Sequence, residues 1–147
     1  MTIKVLSRAK AVKLSYKELT GDKVIISISD PLNKKAGFNR NNRSVKEILY
    51  LSFDDIAGEP EEISLGNEHM TRDDAVKICR FINRWKDKVQ TMWVQCEVGV
   101  SRSAGIALAI MEYFNMDTAQ ITENPQFNPN MLCYTLTKNA FDRSSDQ

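Results

Sequence analysis

The chain has 147 residues, 42% hydrophobic and 27% charged, with a net charge of +1, the length and balance of one globular domain spanning 1–147. This composition excludes a collagen-like, disordered or disulfide-framework protein. The even charge argues against a broad nucleic-acid or membrane surface, which needs a basic face, but leaves room for a local positive pocket.

In chain order, Ile3 to Leu6 (IKVL) reads as a first strand, followed by a helix from about Ser7 to Leu14. Gly21-Asp22 marks a turn. The β-branched run VIISIS, Val24 to Ser29, is then a buried strand that Asp30-Pro31 ends. Residues 31 to 44 are polar and rich in Asn, Lys and Arg, a loop. Ile48 to Phe53 is a strand, and the acid-, Gly- and Pro-rich stretch from Asp54 to Asn67 is a long exposed loop. Thr71 is placed as an N-cap, with Asp73 and Asp74 in a first turn where the helix dipole favours negative charge. Ala75, Ile78, Cys79, Ile82 and Trp85 recur at helical spacing and predict that helix's apolar face. Met92 to Gln95 is a short strand with Cys96 at its end. From Ser103, SAGIALAIMEYF is apolar nearly all round, the pattern of a buried helix. NPQFNPN, Asn124 to Asn130, is a loop, and Met131 to Phe141 a last helix. Strands alternating with helices predict an α/β fold with a central, mostly parallel sheet flanked by helices.

Three cysteines, Cys79, Cys96 and Cys133, cannot all pair with one another. Lysines and an arginine interrupt the N-terminus where a secretory signal would need an apolar run, and no apolar run reaches about 18 residues. The expectation is free thiols in a reducing, cytoplasmic setting. With no CxxC and with His69 the lone histidine, no metal site is expected.

The stretch VQCEVGVSRSAG, residues 94 to 105, carries the chemistry. It lies between a strand and a helix N-terminus, where backbone N–H groups lack partners and the dipole favours an anion. Successive N–H groups in such a loop form a nest for phosphate or sulfate. Gly99 permits a positive φ or a close approach, and Arg102 adds a planar fork for two oxyanion oxygens. In that field the Cys96 thiolate is favoured, and beneath a bound phosphoryl group it is a nucleophile in line for attack. Cys79 and Cys133 fall on apolar helix faces and read as structural. Trp85 and Trp93 read as core, His69 as a polar residue before the N-cap, and Asn39 to Arg43 as a solvated loop.

These residues resemble the signature HCxxGxxR[ST] of the cysteine-dependent protein tyrosine phosphatases, most closely the small dual-specificity branch and its compact microbial and viral relatives. The likeness covers about residues 45 to 115 and runs more weakly to the end. The resemblance implies a protein-tyrosine-phosphatase-like (dual-specificity) fold and a phosphocysteine intermediate on Cys96. It further implies phosphate binding by the amides of Glu97, Val98, Gly99, Val100, Ser101 and Arg102 with the Arg102 side chain, and a Ser103 hydroxyl that assists departure of the sulfur. It also implies a general acid on a mobile loop. Phe53-Asp54-Asp55-Ile56, followed by Gly58 and Pro60, matches that loop; Asp55 takes the acid position, with Asp54 the close alternative and Glu61, Glu62 and Glu68 lesser ones. Gln95 stands where the family usually has His. It cannot carry charge, so a thiol pKa somewhat above the family norm is expected.

The expected activity is hydrolysis of phosphomonoesters in proteins, on phosphotyrosine and also phosphoserine or phosphothreonine, by a monomer without cofactor, nucleic acid or membrane. The alternatives are a phosphopeptide-binding module without turnover, or action on a phosphoinositide or RNA 5′-phosphate. Against the last two, the variable loop positions Glu97, Val98, Val100 and Ser101 hold no added base.

Overall fold

The structure, a computed structural model, describes residues 1–57 and 68–145. Four strands form one sheet: β1 (Thr2–Ser7), β2 (Lys23–Ser29), β3 (Val45–Ser52) and β4 (Thr91–Cys96). All pairings are parallel, in the order β1-β4-β2-β3. The helices are α1 (Arg8–Lys17), α2 (Arg72–Trp85), α3 (Arg102–Tyr113), a one-turn α4 (Ala119–Thr122) and α5 (Met131–Ser145). The α/β class and parallel sheet therefore stand as the alternation of elements predicts. α1 and α5 run past their expected ends, β3 starts earlier, at Val45, and α4 had no counterpart in the sequence reading. The candidates Gly58, Pro60, Glu61 and Glu62 lie outside the described residues.

Period-two alternation in the strands divides the interior into two layers. On one face, Leu6, Ile25 and Trp93 meet Ala11 of α1 and Ala36 and Phe38 of the segment linking β2 to β3. That segment makes a parallel crossover without a helix, so irregular chain covers part of this face. On the other face, Ile3, Val24, Ile26, Leu51, Met92 and Val94 pack in one cluster with residues of α2, α3 and α5. α2 joins the core through Ala75, Ile78, Cys79 and Ile82, as its spacing predicts, and Phe81 is buried as well. Each fully buried isoleucine contributes about 1.5–3 kcal/mol. Its start is fixed by a capping box in which Thr71 Oγ1 accepts from Asp74 N–H and Asp74 Oδ2 accepts from Thr71 N–H. α3 is buried without interruption from Arg102 to Met111. It lies between β1 and β4 on one side and α5 on the other, which accounts for an apolar run with no polar stripe.

At the start of β2 the buried Lys23 ammonium donates to Glu18 O, Thr20 O and Ser44 Oγ. These bonds tie the chain after α1 to the start of β3.

Candidate active site

The C-terminal ends of β2 and β4 open on the same side of the sheet, as ligand sites of parallel α/β folds do. Cys96 closes β4, and residues 97–101 turn into α3, whose N-cap Ser101 makes no side-chain capping bond. Gly99 sits at φ +76°, and a Cβ on it would lie 2.5 Å from Ser7 N and 2.9 Å from Leu6 O. Any larger residue both strains the backbone and collides with β1. Among the described residues no acceptor takes the N–H groups of Val98, Val100 or Ser101, whereas Gly99 N–H donates to Cys96 Sγ at 3.3 Å. Ser103 Oγ stands 3.0 Å from the same sulfur.

Arg102 is buried beside this loop, and its Nη1 donates to Asp30 Oδ1 and to Phe53 O, both at 2.7 Å. Its Nε is buried with no partner. A guanidinium held by one edge with a further N–H unspent is set up to receive an anion.

Asp55 and Asp54 part company. Asp55 Oδ1 accepts from Ser101 Oγ at 2.9 Å and from Asn130 Nδ2 at 2.8 Å. It lines a cleft of about 330 Å³ with Cys96, Val98, Val100, Ser101, Arg102 and Asn128. Asp54 turns to its own loop: its N–H donates to Glu68 O, and its Oδ2 accepts from Glu68 N–H at 2.8 Å. Of the expected site residues, Cys96, Arg102, Ser103, Asp55 and the 97–101 backbone thus converge, while Asp54 and Glu68 clasp each other outside the cleft.

Sequence reasoning missed three supports. Asp30 ends β2 in sequence as a strand terminator, and its position after a central parallel strand is the signal that points to the site. Asn130 closes the NPQFNPN loop. It donates to Asp55 and Ile56 O, its own N–H donates to Ser101 O, and its Oδ1 accepts from Cys133 N–H at the start of α5. Arg8 is the third. Its Nη1 donates to Glu97 Oε1 at 3.0 Å, its backbone N–H to Glu97 O and its Nη2 to Lys35 O. Glu97 is thereby drawn toward α1.

Gln95 is fully buried, and its Oε1 accepts from Ser27 Oγ of the neighbouring strand. Cys133, buried at the start of α5, is forced protonated: burial first, and then the Asp55 carboxylate, push its thiol well above the ordinary range. Cys79 is buried between α2 and α5, where its thiol meets Ala140 O. Trp93 lies wholly in the core, and Trp85, half-buried, donates to Glu47.

No protein-family model matches the chain, and no curated protein sequence matches it. Solved structures do. The human tyrosine phosphatase-like serine/threonine/tyrosine-interacting protein superposes with a TM-score of 0.63 at 20% identity, over 98% of this chain and 91% of that one. Human DUSP28 gives 0.62 at 14% identity, over 99% and 94%. PTPMT1 in complex with PI(5)P gives 0.59 at 17% identity, over 99% and 93%. At these identities the likeness is one of fold: the chain has the fold of the tyrosine-phosphatase-like, dual-specificity phosphatases.

Proposed function

We propose that the chain is a cysteine-dependent phosphatase that hydrolyses phosphomonoesters on proteins, phosphotyrosine foremost. The observation that carries this reading is the convergence of the Asp55 carboxylate with the Cys96 thiol and the Arg102 guanidinium on one small cleft. A binding module has no need of a thiol and an acid together.

In the first step the phosphoryl oxygens sit in the nest from Glu97 to Arg102, with Arg102 gripping two of them. Cys96 Sγ, as thiolate, attacks phosphorus; the S–P bond forms as the ester P–O bond breaks. The leaving oxygen takes its proton from Asp55. In the second step water attacks phosphorus, Asp55 carboxylate receives the water's proton, and the sulfur leaves as thiolate, stabilised by the Ser103 hydroxyl 3.0 Å away. The nest and Arg102 stabilise the charge on the transferring group without reorganising.

Support for an aromatic ester comes from the rim. Val98 is 72% exposed and lines the cleft with Val100. A bare aliphatic side chain at the mouth suits the face of a ring.

The test is release of p-nitrophenol from p-nitrophenyl phosphate in EDTA, wild type against Cys96→Ser. Turnover that vanishes in the variant supports the reading, and no turnover by the wild type from about pH 5 to 8 overturns it.

A further inference from the structure

The net charge of +1 conceals a segregation. Residues 1–46 hold eleven Lys and Arg against three acids, Glu18, Asp22 and Asp30, a net of +8; the other 101 residues hold nine against sixteen, a net of −7. The fold keeps this division. α1 and the 31–44 segment cover one sheet face, while α2, α3 and α5 pack on the other. Asp22 pairs with Lys46 and Asp30 with Arg102. Lys10, Lys13 and Lys17 of α1 are exposed, with no carboxylate at ion-pair distance among the described residues.

On this side a groove of about 360 Å³ runs between β1 and α1 on one wall and the 120–127 segment on the other. Lys4, Lys10 and Glu18 stand among its walls, a balance of one positive charge, and Leu6, Leu14 and Phe127 supply apolar surface. It adjoins the cleft at two points. Phe127 precedes Asn128, a cleft residue whose N–H donates to Val100 O. Leu6 and Ser7 lie directly against Gly99 of the signature loop. A chain whose phosphorylated side chain sits over Cys96 therefore has this groove alongside.

Lys4 alone has a blander use, since a lysine on an edge strand deters pairing with another chain; it is also loosely paired with Glu18, at 4.0 Å. Lys10, on a helix, has no such duty.

We propose that this groove is a subsite for the polypeptide flanking the phosphorylated residue, and that it selects segments carrying an acidic side chain next to an apolar one. The proposal rests on the phosphatase reading above. A concave groove of mixed apolar and polar walls, with Lys10 unpaired and Lys4 shared with Glu18, fits a peptide better than a nucleic acid, which needs cations tracking a row of phosphates.

The experiment compares phosphotyrosine peptides with acidic-apolar, neutral and basic flanks, using wild type and Lys4→Gln/Lys10→Gln. The acidic-apolar peptide is expected to have the lowest KM. The double variant raises that KM about three- to tenfold, the worth of one or two exposed charge pairs, with kcat and turnover of p-nitrophenyl phosphate unchanged. Equal KM for the three peptides, or a double variant that leaves the preference intact, overturns the proposal. So does a double variant whose peptide KM stays put while it loses inhibition by a short RNA or by phosphatidylserine vesicles; the face would then serve that anion. If the wild type fails on p-nitrophenyl phosphate, the phosphatase reading falls separately. Binding of the same acidic peptide, measured by fluorescence anisotropy, then decides the groove: weaker binding by the double variant keeps it, equal binding removes it.

Discussion

Two adjacent carboxylates one peptide bond apart face different fates. Asp54 is bound on both its backbone and its side chain to Glu68, so it closes the base of the loop it begins. Asp55 hangs over the signature loop, held by Ser101 and Asn130. Asp55→Asn is therefore expected to lower kcat by about 10²–10⁴, because protonation of the leaving oxygen is worth that much, and to flatten the limb of the pH–rate profile that belongs to the acid. Asp54→Ala keeps kcat within about tenfold and instead lowers the urea midpoint, as loss of the loop-closing bond from Glu68 N–H does. Steady-state kinetics and urea unfolding of the two variants separate the roles; the reverse pattern would move the acid to Asp54. The cysteines make a second test at this scale. Cys96 lines the cleft, whereas Cys133 is held protonated in the interior and Cys79 is packed between helices. Iodoacetamide on the native protein should label Cys96 alone, with the other two reacting only in urea, as peptide mapping would read. Chain order alone left both aspartates open, because nothing in Phe53-Asp54-Asp55 says which way each side chain turns; that is decided by partners 14 and 75 residues away.

At the scale of elements, the site depends on how closely the chain before α5 approaches α3. Gly105 makes that contact: a Cβ there would lie 2.3 Å from Asn130 O. In an exposed helix Gly→Ala is favourable by about 1 kcal/mol. Here the obstacle is backbone, and it belongs to the residue that positions Asp55, so the clash dominates and costs about 1–3 kcal/mol. Gly105→Ala should unfold at lower urea than wild type. It should also lose more kcat on an alkyl phosphate, whose leaving group needs the acid, than on p-nitrophenyl phosphate. Equal stability with equal kinetics would show that the Asn130 segment yields freely. The longer helices were legible, because the apolar period and Thr71 cap of α2 and the unbroken apolar run of α3 are local signals. Asn130 was not: an Asn-Pro-Asn stretch reads as loop whether it hangs in solvent or, as here, bonds three elements at once.

Across the whole molecule the two layers on the sheet are unequal. Among the described residues the α1 side holds a cluster of six buried apolar residues, and the other side twenty-six. Composition reports only their sum, as net charge reports only the sum of two opposite faces, and so neither asymmetry was read from the sequence although each was present in it. The thin layer is nonetheless tied to the chemistry. Arg8, the first residue of α1, bonds the signature loop through Glu97, and Ser7, the α1 N-cap, backs Gly99. Local opening free energy follows buried apolar contact, so α1 should open more readily than α3, which is enclosed along most of its length. Amide exchange followed by mass spectrometry should show residues 12–17 exchanging at least about tenfold faster than residues 106–113. Arg8→Ala removes the side-chain half of the tie, leaving the backbone bond to Glu97 O, without touching the core. It should leave exchange in α3 unchanged and speed exchange at 97–101. If α1 is lost only with global unfolding, its protection matching that of α3, then the two layers form one cooperative unit and the asymmetry in packing has no dynamic consequence.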